Sequence, residues 1–519
     1  MKILKNVAVV FALMLMSSFC LNAQNIDNSR CRDEDCVLEI LRRLDTNDEA
    51  VIAETEKKLE KLAEEACYYD VYEIKNALKN SIFAFVEKFE DCKSNAFLVS
   101  LLSKLYYANE SNEIMKLVEN EKLADAAIRA VANIPGTNDI IKKYIVKHHD
   151  DLRYKAALAY AVGKLNIQSM EDELISWLKD ADDETKIEIY NALLVVGSNE
   201  KTATIVEKGA KKLYKNKIAD NKIAGMKLLS ATKSEKCLPY LYKALKNNDK
   251  RVRVAAFDIM KPYANQKVCA KAVKICKKGD ALVDVLNWLG EIKNDSQMEF
   301  VIKQLSSENP KVVKAAIKAV FNIDNAQGIE AVKPMFGGEY QEVIKDAMMS
   351  YEGNYAGVLN DVARGGDQQK LAVLQILEKR PVVALNLRVK EFLNSGNQEV
   401  RDEAYKILKD VVVVADAGFL SGLLENCADK YVEDVQLAIK NAMANAIEER
   451  KDTFASTLKH VKPAIMPRFY KVFAYFGTEL TVNKLIEAYE SGDYKNEAKE
   501  ALLIVEDEKF AQQIKDVLK

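Results

Sequence analysis

One kind of helix recurs along this chain at a nearly constant interval, and that recurrence restricts the fold more than any other feature. Nine-residue stretches share a pattern: apolar, basic or polar, two free positions, small, apolar, one free position, small or apolar, apolar. Leu152–Tyr160, Val252–Met260, Val312–Val320 and Val400–Leu408 follow it closely; Thr185–Leu193, Ala281–Leu289 and Tyr340–Met348 follow it more loosely. Their starts differ by about 30 residues or multiples of that, an interval that belongs to stacked repeats. A second helix precedes the pattern, as at Leu238, Leu241, Ala244 and Leu245, whose three- and four-residue spacing puts them on one face. The links KNNDK, SSENP and NSGNQ supply capping and turn residues. The unit is therefore helix, tight turn, helix.

A lone pair of this size has two apolar faces and cannot bury both. Stacking the next pair covers the face left over, and the process repeats. Small residues at the fifth and eighth positions, such as Ala156 and Ala159 or Ala316 and Ala319, let helix axes approach closely. The expected fold is all-α, a right-handed α-solenoid of stacked antiparallel helix pairs with a period of about 30 residues. With 8 Pro and 19 Gly in 519 residues, interrupted helix is favoured over a turn-rich β fold. The nearest thing to a strand is the run Val411 to Val414, and no second run alternates like it.

The stretches KRVRVAAFDIM, PKVVKAAIKAV and QEVRDEAYKIL resemble HEAT repeats, with Arg253 and Arg401 at that repeat's arginine position. Val313 and Gln341 stand there in other copies. The short period is similar to the bacterial HEAT-like subclass, and the resemblance covers residues 110–519. It implies a superhelix whose concave wall is made from the second helix of each pair. It also implies that the arginine pairs with an acidic residue of a neighbouring unit, holding the stack and not a ligand. Residues 24–109 fit the pattern poorly and read as longer amphipathic helices, assigned as a cap with a polar outer face. The last stretch, EKFAQQIKDVLK, reads as a C-terminal capping helix.

At the other end, Lys2 and Lys5 precede the apolar run Val7 to Met16, and Leu21 and Ala23 occupy the minus-three and minus-one positions of a cleavage site before Gln24. Residues 1–23 thus read as a secretory signal, giving a periplasmic or secreted protein. The segment is too short for a stable membrane span, and no other run of about 18 apolar residues follows. The competing reading, a lipoprotein with Cys20 as the lipidated residue, is disfavoured by the bulky Phe19 before it. The cleavage junction resembles those of secreted Bacteroidetes proteins. Losing the signal removes two lysines and moves the formal charge from −2 to −4. Both signs are spread along the chain, so no basic field exists to hold a nucleic-acid backbone. Four cysteines fall early, at Cys31, Cys36, Cys67 and Cys92. In an oxidising compartment Cys31 and Cys36 are placed to staple to later helices; the alternative is buried free thiols. Cys269 and Cys276 lie two helical turns apart and cannot bridge each other in a straight helix.

Residues suited to chemistry are sparse. His148 and His149 adjoin Asp150 and Asp151, a metal-ligating set by type. Neighbouring residues on a helix point about 100° apart, however, which favours a solvated turn. His460 reads as a turn cap. There is no G-x-S-x-G elbow, phosphate-cradling loop, H-E-x-x-H or C-x-x-C pair, and the glycine pairs in MFGGEY and ARGGDQ read as turns. No enzyme, cofactor or metal site is expected. The expected role is an exported scaffold that binds a protein or peptide partner. Its contacts fall at the second and seventh pattern positions, which include Arg153, Lys186, Arg253, Asp258, Lys318, Arg401 and Lys406. Tyr470 and Tyr475 in PRFYKVFAYFG are set to face out and stack on a sugar or a peptide, while Phe469, Phe473 and Phe476 are core. The alternative role is a spacer or substrate-guiding module for carbohydrate-processing machinery, either an attached domain or a partner chain.

Overall fold

The computed structural model describes residues 33–149 and 152–519. The signal, Cys20, Cys31 and the Asp150–Asp151 pair lie outside the described residues. Among the described residues every regular element is an α-helix or a short 3-10 turn, with no strand. The fold is an α-solenoid, divided into two compact units between Cys237 and Leu238.

Helices begin where the links supply a cap. The Asp182 carboxylate accepts the Thr185 N–H at 2.7 Å, Asp249 that of Arg251 at 2.8 Å, and Asn309 that of Lys311 at 3.0 Å. Asn397 accepts both Glu399 N–H at 2.9 Å and Val400 N–H at 3.2 Å. Each cap satisfies a donor that the first helical turn leaves open, typically adding about 1 kcal/mol.

In the second unit the helices Lys250–Met260, Gly279–Glu291, Pro310–Ile323, Gln341–Ser350, Asp367–Lys379, Gln398–Val411 and Val432–Met443 pack each against the next. A first helix, such as Met298–Gln304 or Asn386–Phe392, packs against the second helix that follows it. The first unit stacks in the same way through Glu49–Tyr68, Asn95–Leu105, Ala124–Ala132, Lys155–Lys164, Asp183–Val196 and Ala219–Lys233. Stacking therefore runs through residue 110 without a break, although the earliest helices are longer. Side-chain bonds between successive pairs join residues roughly one pair apart: Arg253 to Asp284, Lys333 to Asp361, and Gln436 to Arg468.

The helix Pro310–Ile323 shows how pattern becomes packing. Val312, Val313, Ala315, Ala316, Ile317, Ala319, Val320, Phe321 and Ile323 are buried. Only Lys311, Lys314, Lys318 and Asn322 along its length form an exposed stripe after the capping Pro310. Full burial of each large apolar side chain contributes about 1.5–3 kcal/mol. The eighth-position alanines are the points of closest approach. A Cβ placed on Gly290 would lie 2.9 Å from the Cα of Ala319, and one on Gly163 would lie 2.9 Å from the Cα of Ala192. Asp324, in the left-handed region at φ 56°, ends the helix.

Two expectations need correction here. The copy beginning at Leu152 does not start a helix there. Tyr154 sits in the left-handed region at φ 58°, so the helix begins at Lys155 and Arg153 falls in the link. The Val411–Val414 run is the end of the helix Gln398–Val411 followed by the 3-10 turn Val414–Asp416. Cys36 is disulfide-bonded, but Cys67, Cys92, Cys237, Cys269, Cys276 and Cys427 take part in no disulfide, so Cys36 is stapled to no later helix. Burial pushes the Cys269 thiol up to about 11 and the Cys276 thiol up to about 12. The terminal helix Ala511–Val517 buries Ile514, and Gln513 donates to Asn483 at 3.2 Å on the helix Glu479–Ser491. Among the described residues no helix is long and apolar enough to cross a membrane.

Candidate partner-binding face

The side of the second helices turned away from the core carries the polar stripe seen on Pro310–Ile323. In the second unit Asp258, Lys318 and Lys406 lie on it, each at the seventh pattern position of its own helix and each exposed. Asp258 pairs with Lys261 at 2.9 Å and Lys406 with Glu403 at 2.6 Å. In the first unit Lys186 is half-buried on Asp183–Val196. Arg153 is exposed in its link, where it donates to Glu121 at 3.1 Å.

Arg253 is not a surface contact. It is only 4% exposed. Its Nε donates to Asp284 Oδ2 at 2.6 Å, and one terminal nitrogen donates to the carbonyls of Asn247 at 2.9 Å and Asn248 at 3.0 Å. Asp284 belongs to the next second helix, so this side chain ties one pair to the next, as the resemblance implied, and is not available as a partner contact. Arg401 is half-buried and donates to the Ser395 carbonyl and to Gln398 Oε1. Both arginines reach back six residues to the carbonyl-rich turn that closes the preceding helix, where the helix dipole favours a cation. Arg380 and Arg468 reach helix-end carbonyls of an earlier pair instead: Arg380 those of Met348 at 2.9 Å and Tyr351 at 2.7 Å, and Arg468 those of Leu424 at 3.1 Å and Cys427 at 2.7 Å. The sequence pattern missed Arg380 and Arg468, because neither stands at a fixed pattern position.

Tyr470 is also corrected. It is 6% exposed, because the short helix Tyr470–Phe476 is held between Val432–Met443 and Lys495–Leu502 and buries five of its residues. Tyr475 is half-buried, with Lys440 Nζ 4.5 Å from its ring centre. Phe469, Phe473 and Phe476 are core. His148 stacks on Tyr144 at 4.5 Å, His149 lies 3.8 Å from Glu173, and His460 Nδ1 lies 2.8 Å from the Thr457 carbonyl at the end of its helix. Both glycine pairs fall in turns between the helices of a pair.

The second unit has an open groove of 510 Å³ between two such turns, at residues 363–367 and 394–397. Arg364, Lys370 and Arg388 line it with Asp367, Glu391 and the buried Phe392. Arg388 is held by Asn360 at 2.8 Å and Glu391 at 2.7 Å, and Lys370 pairs with Asp367 at 3.2 Å. Arg364 is different. Among the described residues its one acidic partner is Asp361 at 4.0 Å, whose other oxygen is engaged by Lys333 at 2.7 Å. The Lys333 ammonium holds the Asp361 carboxyl below its usual range. Arg364 thus presents a 61% exposed, loosely held guanidinium to the groove, a geometry suited to a planar carboxylate.

On the helix Gln398–Val411, Asp402 accepts from Lys430 at 2.7 Å, Tyr431 at 2.5 Å and Gln398 at 2.7 Å. Lys430 first and Tyr431 second hold its carboxyl down, from 3.8 to about 2. A depressed carboxyl stabilises the fold above its unfolded value and loses that contribution as pH falls through the folded value. The network is therefore intact above pH 3.8 and fades toward about 2. A carboxyl titration by NMR is expected to place Asp402 near the lower value, with Tyr431→Phe moving it upward.

No family model matches the chain, and no curated protein matches it. Kap121p is similar over 93% of this chain and 54% of its own, at 11% identity and a TM-score of 0.42, so the chain spans about half that protein's length. Yeast importin-beta (Kap95p) is similar over 91% of this chain and 88% of its own, at 11% identity and a TM-score of 0.37. UNC-45 from Drosophila melanogaster is similar over 90% of this chain and 87% of its own, at 12% identity and a TM-score of 0.33. These are helical-repeat proteins of the HEAT and armadillo type.

Proposed function

We propose that this chain is a non-enzymatic scaffold, exported after loss of residues 1–23, that binds a protein or extended peptide on the exposed stripe of its second helices. Residues 24–109 close one end of the stack. The groove at Arg364 receives an acidic side chain of the partner. The observation that carries this reading is the loosely held Arg364 guanidinium, set in an open groove where the neighbouring cations are already matched. A stacked array offers many shallow contacts on rigid helices, and a partner of ordinary size needs about 800 Å² of such surface.

The test uses the mature protein as bait in periplasmic extract, with Arg364→Glu and Lys318→Glu/Lys406→Glu as matched baits of equal thermal stability. The expected result is a partner retained by the unaltered protein and depleted at least about tenfold by Arg364→Glu, the loss of a charge-assisted pair and its replacement by repulsion. Recovery of the same proteins by all baits, or of none at low and high salt, counts against the scaffold.

A further inference from the structure

The stacking rings expected near residue 470 are found elsewhere. Tyr68, Tyr69, Tyr72 and Tyr107 are 83%, 71%, 74% and 60% exposed, in a molecule whose other tyrosines are mostly covered. They belong to the first unit and owe nothing to the Arg364 groove.

Local geometry gathers them at one edge of the stack. Tyr68 ends the helix Glu49–Tyr68, Tyr69 is its cap, and Tyr72 opens the helix Tyr72–Lys88. Asp70, in the left-handed region at φ 51°, makes the turn between them. Tyr68 and Tyr69 meet edge to face, with ring centres 4.9 Å apart. The Cys67 thiol donates to the Lys104 carbonyl at 3.2 Å, which joins this turn to the end of Asn95–Leu105, just before Tyr107. On the other side, Lys75 Nζ sits 2.6 Å from Asp70 and 3.5 Å from the Tyr107 hydroxyl. Tyr72 lies one helical turn before Lys75 on the same face. Lys75 therefore ties Tyr107 to the helix that Tyr72 opens, with the Tyr68–Tyr69 pair across the turn at Asp70.

The chemistry of these rings narrows their occupant. The cation that stands against these rings is spent: Lys75, 5.6 Å from the Tyr107 ring centre, is paired with Asp70. Among the described residues no second cation stands over the four rings to await a phosphate or a carboxylate. The rings protrude, each at least 60% exposed, so they do not enclose an apolar or proline-rich peptide in the way aromatic-lined clefts do. Each ring ends in a hydroxyl that stays in water while its face offers apolar area. A flat, uncharged, hydroxyl-rich chain matches all three properties, because the C–H face of a pyranose lies on a tyrosine ring while its hydroxyls remain hydrated. We propose that Tyr68, Tyr69, Tyr72 and Tyr107 form a platform for a neutral polysaccharide, bound through the faces of its sugar rings.

The mature protein is titrated calorimetrically with cellohexaose, xylohexaose and mannohexaose, with polygalacturonate and a polyproline decapeptide as the charged and peptide comparators. At least one neutral hexasaccharide is expected to bind. Tyr72→Ala/Tyr107→Ala should weaken it by about tenfold or more, the scale of losing ring stacking. Tyr72→Trp, which keeps an exposed ring, should retain binding. Equal melting temperatures, expected for exposed positions, show that the variants are folded. The proposal is overturned if no neutral hexasaccharide binds at millimolar concentration, or if the double variant binds as well as the unaltered protein. It is also overturned if the substitutions abolish binding of the polyproline decapeptide alone.

Discussion

Asp284→Ala lowers the stability of the Leu238–Lys519 unit by about 3–5 kcal/mol, the cost of stranding a buried charge. The pair is nearly sealed, with side chains 5% and 4% exposed and a 2.6 Å contact. Arg253 has nowhere to turn. One terminal nitrogen is committed to the Asn247 and Asn248 carbonyls, and the other has no hydrogen-bond partner among the described residues. Removing the carboxylate leaves a buried guanidinium near the Cys276 thiol with no acid to match it. The same principle predicts a rescue. Arg253→Met/Asp284→Leu replaces the pair by apolar side chains and should recover most of the loss. Chemical denaturation measures the difference. Hydrogen exchange should localise it to Lys250–Met260 and Gly279–Glu291, because a stacked array loses stability at the interface that is damaged. A loss below about 1 kcal/mol for Asp284→Ala would mean that the pair is open to water and behaves as a surface ion pair.

Gly290→Val is the second large effect, at about 2–3 kcal/mol of destabilisation from overpacking. Gly290 is buried on Gly279–Glu291, and a Cβ there would meet the Ala319 Cα at 2.9 Å and the Ala319 Cβ at 3.4 Å. Backbone is on the receiving side, so no rotamer change relieves the clash and the two helices must part. Gly422 is the control. It lies within the helix Ala417–Asn426, is exposed, and has open space where a Cβ would go. Gly422→Ala should therefore stabilise by about 0.5–1 kcal/mol through the unfolded chain and helix propensity. Thermal melting of both variants is the check. If the two substitutions shift the melting temperature alike, close approach at the eighth pattern position is not what holds neighbouring pairs together.

Helices, their starts and their buried faces were legible from short stretches of sequence. Asp182, Asp249, Asn309 and Asn397 cap where the links placed them, and Ala316 and Ala319 are buried as the pattern requires. Capping and three-four spacing act within one or two turns, so neighbouring residues suffice to specify them. The exception, Leu152 to Tyr154, failed through a single left-handed residue that the apolar pattern does not encode.

Which polar or aromatic side chains reach solvent was another matter. Arg253 and Lys318 both occupy pattern positions read as partner contacts, yet one is sealed and the other exposed. The difference is Asp284, a residue 31 positions later on another helix. Tyr470 and Tyr72 each sit at the first position of a helix; neighbours on both sides cover Tyr470, and Tyr72 stands at an open edge. Sequence by itself thus determined that this chain makes helix pairs and stacks them, because local periodicity and capping are short-range. Only the tertiary structure decided which residues are left for a ligand, because burial at any position is set by side chains brought up from the next pair.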